Sequence, residues 1–168
     1  VSDSQRAIDY LQTRPEVDPT RIGVIGHSLG GILALFTAAF EPRVRCAVSN
    51  AGPNLLRREI LRDNGLPPGL SRWAGYGYLP ALGFFRDQPA ATPVEMHQLY
   101  ALVAPRGLFV SLMEDDSVAP RYDRIAWALG QAERAHLALG GHFASYTIDS
   151  GLTSACRDEW AAPMCAGQ

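Results

Sequence analysis

The stretch Gly26-His27-Ser28-Leu29-Gly30-Gly31 constrains this chain more than any other. It lies between a short apolar run, Ile22-Gly23-Val24-Ile25, and a helix-forming run from Ile32 to Phe40. That order spells a strand, a sharp turn with a serine at its apex, and a helix. A Gly-x-Ser-x-Gly turn of this kind holds the serine in a strained backbone conformation, and glycines flank it where side chains would clash. The strain lifts the hydroxyl out of the sheet. The helix that follows aims its first amides at the same point, where negative charge would develop in an acyl transfer. The stretch therefore reads as a nucleophile elbow with Ser28 as nucleophile and the Leu29 N–H as oxyanion donor. The plainer alternative is a glycine-rich turn whose serine only caps the helix.

A dinucleotide-binding unit also begins with a strand, a glycine-rich turn and a helix. It needs glycines spaced G-x-G-x-x-G and an acidic residue ending the next strand. Here Ser28 occupies the second glycine position, and the next apolar run, Val44 to Ser49, is followed by Asn50. Both requirements fail.

Composition removes further classes. The chain has 168 residues, enough for one domain with a real core, and it reads as a single domain over 1–168 with an insert at about 51–94. A net charge of -2 with evenly spread charges gives no basic stripe for nucleic acid and no polybasic membrane patch. No apolar run approaches the roughly 20 residues a bilayer span needs. No signal-peptide pattern opens the chain, which leans towards a cytoplasmic location without fixing it. All 15 cationic residues are arginine. With no lysine, a phosphate-loop lysine, a Schiff base and a Ser–Lys dyad are excluded. Three cysteines without a Cys-x-x-Cys or His-x-x-x-His cluster argue against a structural zinc, and nothing calls for another metal or a cofactor. Cys46, in an apolar strand, reads as a buried small hydrophobe, whereas Cys156 and Cys165 either pair or stay free.

Periodicity gives the remaining elements. A helix is expected over Ser4–Arg14, stopped by Pro15. Strands are expected at Ile22–Ile25, Val44–Ser49, Gly107–Met113 and Ala135–Leu139, with helices at Ile32–Phe40, Val94–Ala104 and Arg121–Ala132. A charged helical piece at Leu55–Arg62 and a helix beyond Ser150 complete the list. Strands alternating with helices imply an α/β fold: a parallel sheet of about four strands with helices on both faces. There is no internal repeat.

A serine hydroxyl needs a base to take its proton, and the base needs an orienting carboxylate. In its elbow, and in a nucleophile, acid, histidine order along the chain, the sequence resembles the α/β-hydrolase superfamily. Two stretches narrow the resemblance to the group of dienelactone hydrolases, acetyl xylan esterases and prolyl-oligopeptidase-like enzymes. They are Val17-Asp18-Pro19-Thr20-Arg21-Ile22-Gly23-Val24 before the elbow and Leu102-Val103-Ala104-Pro105-Arg106-Gly107-Leu108-Phe109-Val110 further on. Dienelactone hydrolases proper use a cysteine, so Ser28 points to the esterase side. The superfamily's acid commonly stands in Gly-x-x-Asp-x-x-x-Pro. Met113-Glu114-Asp115-Asp116-Ser117-Val118-Ala119-Pro120 matches that register with Met113 for glycine, which makes Asp116 the expected acid, with Asp115 and Glu114 as alternatives. Some members place the acid after the preceding strand; here that strand is followed by Asn50. Of the four histidines, His142 in Gly140-Gly141-His142-Phe143 follows the last expected strand, where the superfamily carries its base. His27 is too close to Ser28 in sequence to turn back on it, and His97 and His136 read as helix and strand-edge residues.

The resemblance also implies what this chain lacks. In the complete fold the elbow follows the fifth strand, whereas here it comes after only about 25 residues. The resemblance thus covers the C-terminal half of the fold, without the N-terminal strands. One of two oxyanion amides comes from the loop after the third strand, leaving Leu29 alone, and loss of one donor typically costs about 10²–10³ in rate. Strand Ile22–Ile25 would become an open apolar edge, a surface for a homodimer. The implied activity is that of a serine carboxylic-ester hydrolase working through an acyl-enzyme on a small-molecule ester. Trp73, Tyr76 and Tyr78, with His27, are candidates to line the substrate pocket; the aromatics equally well pack the insert onto the body. Two further expectations stand beside it: a prolyl-oligopeptidase-like peptidase and a catalytically inert fragment.

Overall fold

The structure is a computed structural model that describes residues 1–52, 56, 80–85, 87–113 and 122–148. In chain order these form α1 (Ser2–Leu11), β1 (Ile22–His27), α2 (Leu29–Phe40), β2 (Val44–Asn50), two short 3₁₀ turns (Pro80–Phe85 and Pro89–Ala91), α3 (Met96–Val103), β3 (Gly107–Met113), α4 (Tyr122–Ala138) and β4 (Phe143–Ile148). The expected piece Leu55–Arg62, apart from Leu56, and the helix beyond Ser150 lie outside the described residues.

The four strands make one sheet in the order β1-β2-β3-β4, every pair parallel. Parallel neighbours need a crossover between them, and α2, α3 and α4 supply it. This is the expected partial α/β-hydrolase architecture, a four-stranded parallel sheet flanked by helices. The strands stack in register, so that Val24, Ala47, Leu108 and Phe143 lie level across the sheet. All chains therefore leave the sheet at one end, the end from which β1 enters the elbow. Among the described residues β1 pairs on one side only, with β2, and Ile25 is 66% exposed.

The core lies on one face. Ile8 of α1, Leu35 and Ala38 of α2, Met96, Leu99, Tyr100 and Val103 of α3, and Leu129 and Ala132 of α4 join a single cluster with Ile22, Val44, Ala47, Leu108 and Val110 of the strands. Helices on both faces were expected; among the described residues all four bury their side chains in this one cluster. A register irregularity between Ile22 and Gly23 lets β2 take one extra residue, so Val44 and Ala47, three apart, both face inwards. The same bulge turns Cys46 to the other face, where it is exposed rather than buried as the apolar run suggested. Burying one such large apolar side chain contributes about 1.5–3 kcal/mol, which is why the inward positions dictate the register.

Arg43 clamps α1 onto the α2–β2 turn. Its guanidinium donates to both Glu41 carboxylate oxygens (2.7 and 2.6 Å), to Asp9 Oδ1 (2.8 Å) and to Gln12 Oε1 (2.8 Å). Arg106 adds bonds to the main-chain oxygens of Glu41 and Val44, both 3.0 Å. Hydrogen bonding from Arg43 holds both the Glu41 and the Asp9 carboxyls below their ordinary values of 4.5 and 3.8. Depressed folded-state values mean that these carboxylates stabilise the fold above the ordinary values, and that the contribution fades as pH falls through the lowered ones. Thermal melts should therefore be flat down to about pH 4.5 and fall steeply below it, and Arg43→Met should flatten that acid limb; an acid limb that Arg43→Met leaves unchanged would refute the clamp.

Candidate active site

Ser28 sits where β1 ends and α2 begins, with φ 53° and ψ -117°. A non-glycine residue in that region is strained by roughly 1–3 kcal/mol and persists only where its surroundings over-determine it. Its side chain does not cap α2, and its hydroxyl makes no hydrogen bond among the described residues. The helix-capping alternative is thereby removed, and the exposed hydroxyl is left at the apex of the turn. The Ser28 carbonyl accepts the Ile32 N–H at 3.1 Å, closing the first helical turn. The N–H groups of Leu29, Gly30 and Gly31 thus have no intrahelical acceptor, and the positive end of the α2 dipole lies at the serine. That is the arrangement an oxyanion next to Ser28 Oγ requires.

Ser49, Asn50 and Gly52, at and just past the end of β2, brace the turn from below. Ser49 Oγ donates to the Gly31 carbonyl at 2.9 Å. The Asn50 carbonyl accepts the Ser28 N–H at 2.8 Å. Ala51, the other non-glycine residue with positive φ (48°), donates its N–H to the Ser111 carbonyl at 2.8 Å. Gly52 lies against Gly31 and the Ile32 amide. The flanking glycines differ in their reasons. A Cβ on Gly26 would overlap the Gly30 carbonyl, and one on Gly31 would come within 2.8 Å of the Asn50 oxygen and 3.0 Å of the Gly52 Cα, whereas Gly30 faces open space. The glycine that the packing requires after the serine is therefore Gly31, not the motif's Gly30.

The expected base is elsewhere. Ala135–Leu139, expected as a strand, continues α4 to Ala138. The helix then stops in a Schellman arrangement: Gly140, at φ 71°, donates to the Leu137 carbonyl (3.2 Å) and Gly141 to the His136 carbonyl (2.8 Å). The strand comes next, so His142 enters β4 instead of following the last strand. Its carbonyl accepts the Leu108 N–H at 3.0 Å, at the start of β3. In a parallel sheet that is the end opposite the elbow. The register puts the Cα atoms of Ser28 and His142 about 16 Å apart along the strands and about 14 Å across them, roughly 20 Å in all. A hydrogen bond between the two side chains is out of reach, and His142 is corrected as the base of this serine.

The other candidates divide as follows. His27 is exposed and stands level with Asn50, on the face away from the helices. His136 is fully buried, with Nε2 2.9 Å from the Tyr100 carbonyl and its ring 5.5 Å from Phe143, a core role. His97 lies in the first turn of α3, whose N-cap, Glu95, accepts the Leu56 N–H just past the end of β2; it thus shares the elbow's end of the sheet. Asp116, with Glu114 and Asp115, and the aromatics Trp73, Tyr76 and Tyr78 lie outside the described residues, as do Cys156 and Cys165. β3 points its last residues to the elbow's end, with Ser111 level with Asn50 and His27. Among the described residues no group of three His, Cys, Asp or Glu side chains is placed to hold a metal. The sequence reading missed Asn50, Ala51 and Ser111 because no motif marks them; the signal available was a small-polar-small run, Ser49-Asn50-Ala51-Gly52, closing an apolar strand.

The asymmetry of the glycines is testable. Gly31→Ala should lower stability by about 2 kcal/mol or more, because its new methyl meets main chain that cannot rotate away, while Gly30→Ala should stay within about 1 kcal/mol of wild type. Denaturant melts of the two variants would contradict the packing described if their order were reversed.

Residues 4–68 match the family model described as BAAT / acyl-CoA thioester hydrolase C terminal. The chain is 34% identical over 106 residues to YtaP of Bacillus subtilis, named as a hydrolase, a match covering 63% of this chain and 31% of that protein. It is 28% identical over 142 residues to a carbohydrate esterase of an unknown prokaryotic organism, covering 80% of this chain and 31% of the relative. Among solved structures, a CE15 glucuronoyl esterase from Teredinibacter turnerae superposes with a TM-score of 0.70 at 22% identity, over 88% of this chain and 41% of the other, a likeness of fold. The chain thus spans about a third of the length of these curated relatives. In fold and in its elbow the chain is similar to the corresponding part of α/β-hydrolases, and the proteins it matches are named as a hydrolase, a thioester hydrolase family and carbohydrate esterases.

Proposed function

We propose that this chain carries the nucleophile of a serine hydrolase acting on carboxylic esters. Ser28 Oγ attacks the ester carbonyl while its proton passes to the departing alcohol, the oxygen that gains charge is received by the Leu29 N–H, and water then hydrolyses the acyl-enzyme, releasing the acid and returning a proton to Ser28. The observation that supports this reading best is Ser28 itself: a positive-φ serine whose hydroxyl is spent on no structural bond among the described residues, set at the positive end of a helix. Asp116, three residues beyond β3, is the proposed acid. The proposal does not rest on a complete relay, because His142 is far from the serine. The names of the relatives lean the substrate towards sugar-linked esters, such as the ester of a glucuronoyl group, and away from peptides.

A fluorophosphonate probe applied to the folded chain tests this. It should label Ser28, labelling should vanish in Ser28→Ala, and His142→Ala should leave the rate unchanged. A folded wild-type chain that stays unlabelled would contradict the proposal, and labelling lost in His142→Ala would overturn the separation of the two residues. A methyl glucuronate ester compared with a proline amide then distinguishes ester from peptide hydrolysis.

A further inference from the structure

Ser28 and Ala51 hold two adjacent strained backbones that cannot stabilise themselves. They are linked, and the link ends on β3. The Ser28 N–H is held by the Asn50 carbonyl at 2.8 Å, and the next N–H along, that of Ala51, is held by the Ser111 carbonyl at 2.8 Å. The single peptide unit joining Asn50 to Ala51 therefore serves both strained positions, its carbonyl holding Ser28 and its N–H being that of Ala51. Its side chain is also fixed: the hydroxyl of Ser111, itself fully buried, donates to Asn50 Oδ1 at 2.6 Å. A buried hydroxyl costs free energy unless it finds an acceptor, and this one finds it in the residue beneath the elbow.

We infer that Asn50 and Ser111 form a positioning pair that holds the Ser28 backbone in its positive-φ conformation, using β3 as the anchor. The catalytic consequence rests on the reading of Ser28 as nucleophile; the conformational claim does not. Neither residue touches the reacting atoms. They act through the main chain, by keeping the carbonyl that receives the Ser28 N–H turned towards it. The pair also ties the elbow to β3, the strand whose sequence runs on to Asp116.

Amide hydrogen exchange on the full chain decides the matter. In Ser111→Ala, and independently in Asn50→Leu, which keeps the size but removes the acceptor, the Ser28 amide should exchange about fivefold faster, while strand-centre amides such as those of Val24 and Ala47 keep their rates. Asn50→Asp retains the acceptor and should restore Ser28 protection. Fluorophosphonate labelling of Ser28 should slow in the same two variants and recover in the third. Unchanged Ser28 exchange in both disrupting variants overturns the inference. So does an equal acceleration at every amide, which would mark a purely structural bond. If wild type is folded but never labelled, the hydrolase reading fails while the exchange rates still decide whether the pair holds the turn.

Discussion

One residue is held where L-amino acids rarely go, and the rest of the structure is arranged so that it stays there. Ser28 at φ 53° is retained because the chain on either side of it has no room to relax. Gly26 lies against the Gly30 carbonyl, Gly31 against Asn50 and Gly52, and the amide of Ser28 itself is bonded to β2. Relaxing the serine would break the β1–β2 register at its last pair and lift α2 from the sheet together. The cost of the strained conformation is thereby spread over packing that buries Ile32, Leu35 and Ala38. What results is a hydroxyl that helix and sheet both point at solvent and neither uses.

The parallel sheet supplies direction as well as support. Since every strand runs the same way, the ends of β1, β2 and β3 converge on one edge of the molecule, and whatever the chain places before a strand goes to the other edge. That rule brings together Ser28, Asn50 and Ser111, and it removes His142. Topology, more than distance along the chain, decides which residues can cooperate.

Much of this was legible in the sequence, and the failures have physical causes. The elbow could be read because a strand, a glycine-bounded serine and a helix leave few alternatives; β2 and β3 could be read from their β-branched and aromatic runs. Ala135-His136-Leu137-Ala138 suits a strand edge as well as a helix, and what decides for the helix is Gly140, which stops it. Extending that helix moves His142 from one end of the sheet to the other. Cys46 was misplaced because alternation along a strand assumes no bulge. Gly30 received the role that belongs to Gly31, because a motif records spacing and says nothing of what a side chain would meet. In the sequence Asn50 stands out only for not being a carboxylate, whereas its importance lies in its carbonyl and its bond to Ser111.

The central claim is that Ser28 and the first amide of α2 form a nucleophile and its oxyanion donor. The crystal structure of the chain after reaction with a fluorophosphonate tests it most directly. Phosphorus should be bonded to Ser28 Oγ, with a phosphoryl oxygen accepting the Leu29 N–H and the serine still at positive φ. Phosphorus on another residue, or a phosphoryl oxygen turned away from Leu29 with the serine relaxed to negative φ, would contradict it.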